Sequence, residues 1–155
     1  MKRPLDGRRT LRGARLLGDN KTWRGVLVMW TGVFVAAMAF GASPLFRSRL
    51  PMDLQRAPSA TFGVLLGMGV VLGELPNSFL KRRLGIVPGT QRRSLVGVVL
   101  SILDQGDFVL GAWVTLAPIW LMSVTEAATA FAAVTVVHLV VNVIGYGIGA
   151  RTSLL

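Results

Sequence analysis

The chain has 155 residues, 52% of them hydrophobic, with a mean hydropathy of +0.59 and a net charge of +10. With no cysteine, disulfides, thiolate metal sites and cysteine nucleophiles are excluded, and a single histidine, His138, excludes a multi-histidine metal site. The apolar residues are gathered into long blocks that a water-soluble core of this length does not need, and such blocks read as bilayer spans.

Residues 1–24 are polar and carry eight Lys or Arg, which reads as a basic cytoplasmic N-terminal segment. The first span is expected over 25–43. No small-residue cleavage site follows it, so it reads as a retained span and not a signal peptide. Residues 44–58 read as a loop with Arg47, Arg49 and Arg56, and the second span covers 59–80. A basic loop, 81–93, carries Lys81, Arg82, Arg83, Arg92 and Arg93. The stretch 95–121 is longer than the roughly 20 residues one crossing needs. It is interrupted by Asp104, Gln105 and Asp107, so it is divided into a short re-entrant or interfacial lead, 95–103, and a third span, 108–121. A last span covers 126–150, making 25–155 a single all-α, polytopic membrane domain of about four transmembrane helices.

The positive charge orients the bundle. With the N-terminus inside, fourteen Lys or Arg lie on inner segments and three on outer ones, so both termini and the 81–93 loop are expected in the cytoplasm of a multi-pass cell-membrane protein. Glycines 67, 69 and 73 in the second span, and 145, 147 and 149 in the last, allow close helix approach. The run Gly145–Gly149 follows no strand and fails the context test for a dinucleotide loop.

Ionisable residues inside spans are expensive and are usually functional. Three acids stand out, Glu74, Asp104 and Asp107, all toward the cytoplasmic side of their segments and near the basic loop. Glu74, Ser78 and Lys81 are spaced to share one helix face, although Pro76 should kink or start a helix there. That set reads either as a structural ion pair or as part of a cytoplasm-facing polar pocket. Asp104 and Asp107, three apart, also share a face. Two adjacent carboxylates repel, a conflict that a hard cation such as Mg²⁺ removes; the alternative is that they cap the following span. Asn20, Lys21, Thr22 and Arg24 bring further donors to the membrane surface beside Trp23. Alone they read as a snorkelling anchor. Together, carboxylates with Arg and Lys clamps are the parts for phosphoryl-group chemistry.

The motifs Lys21-Thr-Trp-Arg-Gly25, Ser78-Phe-Leu-Lys-Arg-Arg83 with Pro88-Gly89, and Leu103-Asp-Gln-Gly-Asp-Phe108 resemble those of the CDP-archaeol synthase family, which is related to the CDP-diacylglycerol synthases. The resemblance runs from about residue 18 to the C-terminus, with the motifs in order. It implies a Mg²⁺-dependent transfer of CMP from CTP to a phospholipid phosphate, archaetidic-acid-like or phosphatidate, with release of pyrophosphate. It implies metal ligands at Asp104 and Asp107, joined by Glu74, and phosphate contacts at Lys81 and Arg82, with Lys21, Thr22 and Arg24 holding substrate phosphates. Glu74, Ser78, Lys81, Asp104 and Asp107 are then the expected catalytic set. Partners are CTP, an anionic phospholipid and the bilayer, with no nucleic acid, and a homodimer is left open. Family members often have Asp where this chain has Glu74 and His where it has Asn20. Since the first motif comes so early, an additional N-terminal span found in family members is expected to be missing. The rival readings are a small transporter or channel, with the acids as a cation path, and an inactive scaffold of the same fold.

Overall fold

A computed structural model describes residues 3–86 and 95–149. A two-stranded antiparallel hairpin, β1 (Thr10–Leu11) and β2 (Ala14–Arg15), precedes α1 (Trp23–Gly41). Two short helices follow, α2 (Pro44–Arg47) and α3 (Met52–Arg56), then the long helices α4 (Ser59–Arg83), α5 (Leu95–Leu116) and α6 (Val124–Gly147). The helices α1, α4 and α6 are each long and apolar enough to cross a membrane, and the two arms of α5 make a fourth crossing when taken as one broken span. The architecture is thus an all-α polytopic bundle, as the hydropathy blocks require.

Local chemistry sets the helix ends. The Thr22 hydroxyl accepts from the Gly25 N–H at 3.1 Å and starts α1. Ser123 and Glu126 form a reciprocal capping box at the start of α6, which satisfies backbone donors that have no partner within the helix.

Several boundaries differ from expectation. Residues 44–58 are not an irregular loop but hold α2 and α3, tied down by Arg47, which donates to Ser59 Oγ at 2.9 Å and to the Ala57 carbonyl at 3.0 Å. The lead and the third span are one helix, α5, ending at Leu116 rather than 121 and bent by 51° between Leu95–Asp104 and Gly106–Leu116. A side chain at Gly106 would run into the Phe131 ring, so the bend sits where α6 presses on a glycine. Pro76 does not stop α4, which continues for seven residues beyond it to Arg83. The expected 81–93 loop therefore begins later than Lys81; Pro88, Gly89, Arg92 and Arg93 lie outside the described residues.

Packing fixes an antiparallel order. Gly41 meets Ser59 at one end of the α1–α4 contact and Lys21 meets Glu74 at the other. Thr115 donates to the Leu65 carbonyl at 2.8 Å at one end of α4–α5, and Asn77 donates to Asp104 at 3.0 Å toward the other. Trp113 Nε1 donates to the Met122 carbonyl at 3.0 Å, and His138 packs edge-on against Phe108. With four crossings, the start of α1 and the end of α6 share one face of the bundle.

The α4–α5 contact is nearly backbone on backbone. A Cβ on Gly69 would lie 2.6 Å from Ala112 Cα, and one on Gly111 would lie 2.8 Å from Gly73 Cα. Lipid supplies no hydrophobic drive between helices, so such close approach is what holds them. Among the described residues a side chain at Gly147 would meet nothing within 4 Å, and Gly149, with a φ of +73°, lies in the turn after α6. Val136, Val140 and Ile144 on α6 and Leu27, Val28 and Val35 on α1 are exposed, as lipid-facing residues are.

Candidate active site

The basic N-terminal segment is folded onto the end of α4. The Leu5 N–H donates to the Lys21 carbonyl at 2.8 Å, and the Trp23 N–H to the Arg3 carbonyl at 3.1 Å. Asp6, buried, accepts from the Arg15 guanidinium at 2.8 Å and from the Leu17 N–H at 3.1 Å. The Arg15 guanidinium holds the Asp6 carboxyl well below the usual carboxylate range. Composition had marked these residues only as charge, since nothing in a run of arginines shows which one a single aspartate will choose.

The helix α4 divides the site. On its α1 side, Asn20, Lys21, Thr22, Gly25 and Glu74 line a cavity of about 130 Å³. There Lys21 forms an ion pair with Glu74. Arg24 is exposed and is not in the lining of that cavity. On the α5 side, Leu72, Pro76, Leu80, Leu103, Leu110 and Val114 line a larger apolar groove of about 440 Å³, with Asn77 and Asp107 in its wall. The single polar pocket expected from sequence is thus built as two adjoining spaces either side of α4, close enough that Lys21 and Glu74 of one act electrostatically on Asp107 of the other.

The acids occupy different surroundings. Asp104 is half exposed, paired with Lys81 at 2.8 Å and hydrogen-bonded by Asn77. Asp107 is 5% exposed, and neither of its carboxylate oxygens has a hydrogen-bond partner. Glu74 and Asp104 both act on it unfavourably, and the nearby Asn77 and Lys21 side chains favourably. Neither aspartate serves as the N-cap of a separate span, because both lie within α5. The structural ion pair considered for Glu74 forms with Lys21, ahead of α1, and not with Lys81, which pairs with Asp104 on α5. Ser78 is buried on α4. Arg82, expected at phosphate, is 8% exposed and donates to the Leu17 carbonyl at 3.1 Å and to the Ile86 carbonyl. Asn77 was missed from sequence, because an Asn beside Pro76 reads as a helix breaker and not as the bridge between α4 and Asp104.

Among the described residues, no three His, Cys, Asp or Glu side chains stand close enough to hold a metal ion. The unpartnered, buried Asp107 carboxylate is nonetheless a hard oxygen donor set of the kind Mg²⁺ takes in ones and twos, with the remaining ligands from phosphate and water.

A family model described as CarS-like CDP-archaeol synthase matches residues 2–153. The chain belongs to the CDP-archaeol synthase family. As a family member it is a membrane-embedded nucleotidyltransferase. Its curated relatives include the CDP-archaeol synthases of Methanosarcina acetivorans, 33% identical over 96% of this chain and 88% of that protein, and of Halobacterium salinarum, 36% identical over 96% and 81%. That of Halorubrum lacusprofundi is 37% identical over 97% and 83%. A solved structure described as an intramembrane enzyme for archaeal membrane lipids biosynthesis superposes with a TM-score of 0.70 at 32% identity, covering 92% of this chain and 80% of that one.

Proposed function

We propose that the protein transfers CMP from CTP to the phosphate of a membrane lipid with ether-linked isoprenoid chains, the substrate its relatives' name implies. A lipid phosphate oxygen attacks the α-phosphorus of CTP, the bond to the β-phosphate breaks, and pyrophosphate leaves. No protein nucleophile is required, which suits a chain without cysteine.

The observation that carries this reading is the unpartnered Asp107 carboxylate in the wall of an apolar groove on the lipid-facing side of α4 and α5. A buried carboxylate without a partner is costly, and proteins keep one where a ligand completes it. Asp107, with Asp104 beside it, would hold Mg²⁺, which when bound neutralises phosphate charge. Leu72, Leu80, Leu110 and Val114 give the lipid chains an apolar wall leading to that carboxylate. Lys81 holds Asp104 in place and adds positive charge for phosphate. Lys21, with Thr22 in the lining of the α1-side cavity, contacts the CTP phosphates, and Glu74 orients the Lys21 ammonium rather than serving as a metal ligand. The face carrying the N-terminal segment is the cytoplasmic one, because it bears the excess of Lys and Arg and CTP is cytoplasmic.

The test is incorporation of label from [α-³²P]CTP into lipid by the purified protein in vesicles, with archaetidic acid and phosphatidate as alternative acceptors. Mg²⁺-dependent label in archaetidic acid supports the reading. No label in either acceptor overturns it, and label in phosphatidate alone overturns the choice of lipid.

A further inference from the structure

Two carbonyl-rich contacts join the N-terminal segment to the end of α4, and neither belongs to the substrate-handling set above. Arg82 spends its guanidinium on backbone: Nε on the Leu17 carbonyl at 3.1 Å, Nη1 on the Ile86 carbonyl. The neighbouring Arg83 donates to the carbonyls of Leu11, Ala14 and Arg15. On the other side of the same segment, Asp6 accepts from the N–H groups of Arg8 at 3.0 Å, Leu17 at 3.1 Å and Gly18 at 3.4 Å, and from Nε and Nη2 of Arg15. Leu17 is therefore held at both ends of one residue, its N–H by Asp6 and its carbonyl by Arg82.

The chain leaves this clamp and reaches Lys21 within four residues, where the Leu5 N–H fixes the Lys21 carbonyl. Gly18, the first residue after Leu17, has φ +104°, a conformation that turns the chain toward Lys21 and that a side chain would resist. The Lys21 backbone is held on one side by Leu5 and on the other through Gly18, whose carbonyl accepts from the Lys21 N–H at 3.3 Å directly after the clamped Leu17, and its ammonium takes its place from Glu74 on α4.

We infer that Asp6 and Arg82 act as one positioning device, gripping Leu17 from both sides so that Lys21 is held at the CTP phosphates, and that Arg82 is not itself a phosphate contact. The inference rests on the reading of Lys21 as a CTP contact. A guanidinium that is 8% exposed, with Nε and Nη1 already on two carbonyls, has little surface left to offer a nucleotide. Lysine at position 82 would keep the charge but lose the fork that spans two acceptors.

The experiment measures KM for CTP, KM for the lipid and kcat in D6N, R82K, the double variant and K21A. The expected result is a roughly tenfold rise in KM for CTP in D6N and in R82K, with KM for lipid and kcat nearly unchanged. The double variant should be no worse than the poorer single, because two side chains gripping the same residue are coupled and their effects do not add. Multiplied effects in the double variant would overturn the shared device. A loss of active protein with KM for CTP unchanged would reduce Asp6 and Arg82 to fold stability alone. Should D6N fail to insert, R15K, which loosens the same Asp6 grip, is read by the same criteria. If K21A leaves KM for CTP unchanged, the reading of Lys21 fails; if K21A raises it and D6N and R82K do not, the inference alone fails.

Discussion

Replacing Asp107 by Asn separates function from stability, because the two should move in opposite directions. The carboxylate is 5% exposed and neither oxygen is hydrogen-bonded, so its burial costs free energy that the nearby Lys21 and Asn77 side chains offset only in part. Leaving a buried polar group unsatisfied costs about 1–3 kcal/mol, more when it is charged. Asn keeps the shape but removes the charge, and should recover about 1 kcal/mol of that cost. For a domain of this length that corresponds to a rise of about 2–4 °C in Tm. Activity should fall. Losing about 3 kcal/mol of electrostatic stabilisation at phosphate lowers the rate by roughly 10²-fold. A third readout does not depend on turnover: Mg²⁺ at 100 times its Kd should stabilise the native protein by about 2.7 kcal/mol, and Asp107→Asn should lose most of that effect. The assays are thermal unfolding in detergent with and without Mg²⁺, and CMP transfer from labelled CTP. Near-normal turnover with an unchanged Mg²⁺ shift would refute the reasoning, and so would a lower Tm, which would mean that the carboxylate has a structural partner.

Lys81→Ala removes the ion pair of Asp104 and keeps its hydrogen bond from Asn77; the Asp104 side chain is 47% exposed, so stability should change by less than about 1 kcal/mol while CMP transfer drops measurably. Gly73→Ala places a Cβ 2.8 Å from Phe108 Cα and must push α4 and α5 apart, costing about 1–3 kcal/mol in unfolding assays and lowering activity by displacing Asp107. Since the chain has no cysteine, Asp19→Cys and Ser48→Cys can be labelled singly with a membrane-impermeant maleimide. In intact cells only Ser48→Cys should react, and in inverted vesicles only Asp19→Cys; the opposite pattern would reverse the orientation.

By itself the sequence determined the bilayer as solvent, the four apolar blocks and the order of the motifs. These are sums over neighbouring residues: twenty apolar side chains in a row are a span whatever they pack against, and the excess of Lys and Arg marks one face by simple addition. It also singled out Glu74, Asp104 and Asp107, because an intramembrane carboxylate needs a reason. What it left open was the surroundings of each. Asp104 and Asp107 stand three residues apart, yet one is paired with Lys81 and half exposed while the other is buried without a partner. That difference comes from how closely α5 settles onto Gly69 and Gly73, a contact between segments far apart in the chain. The same holds for α4, whose rotation turns Glu74 to one space and Asn77 to another. The resemblance implied a phosphate contact at Arg82; the Leu17 carbonyl that takes its guanidinium, like the carbonyls of Leu11, Ala14 and Arg15 that take Arg83, is not legible in the sequence, since every residue has a carbonyl and only the tertiary fold decides which ones face a guanidinium.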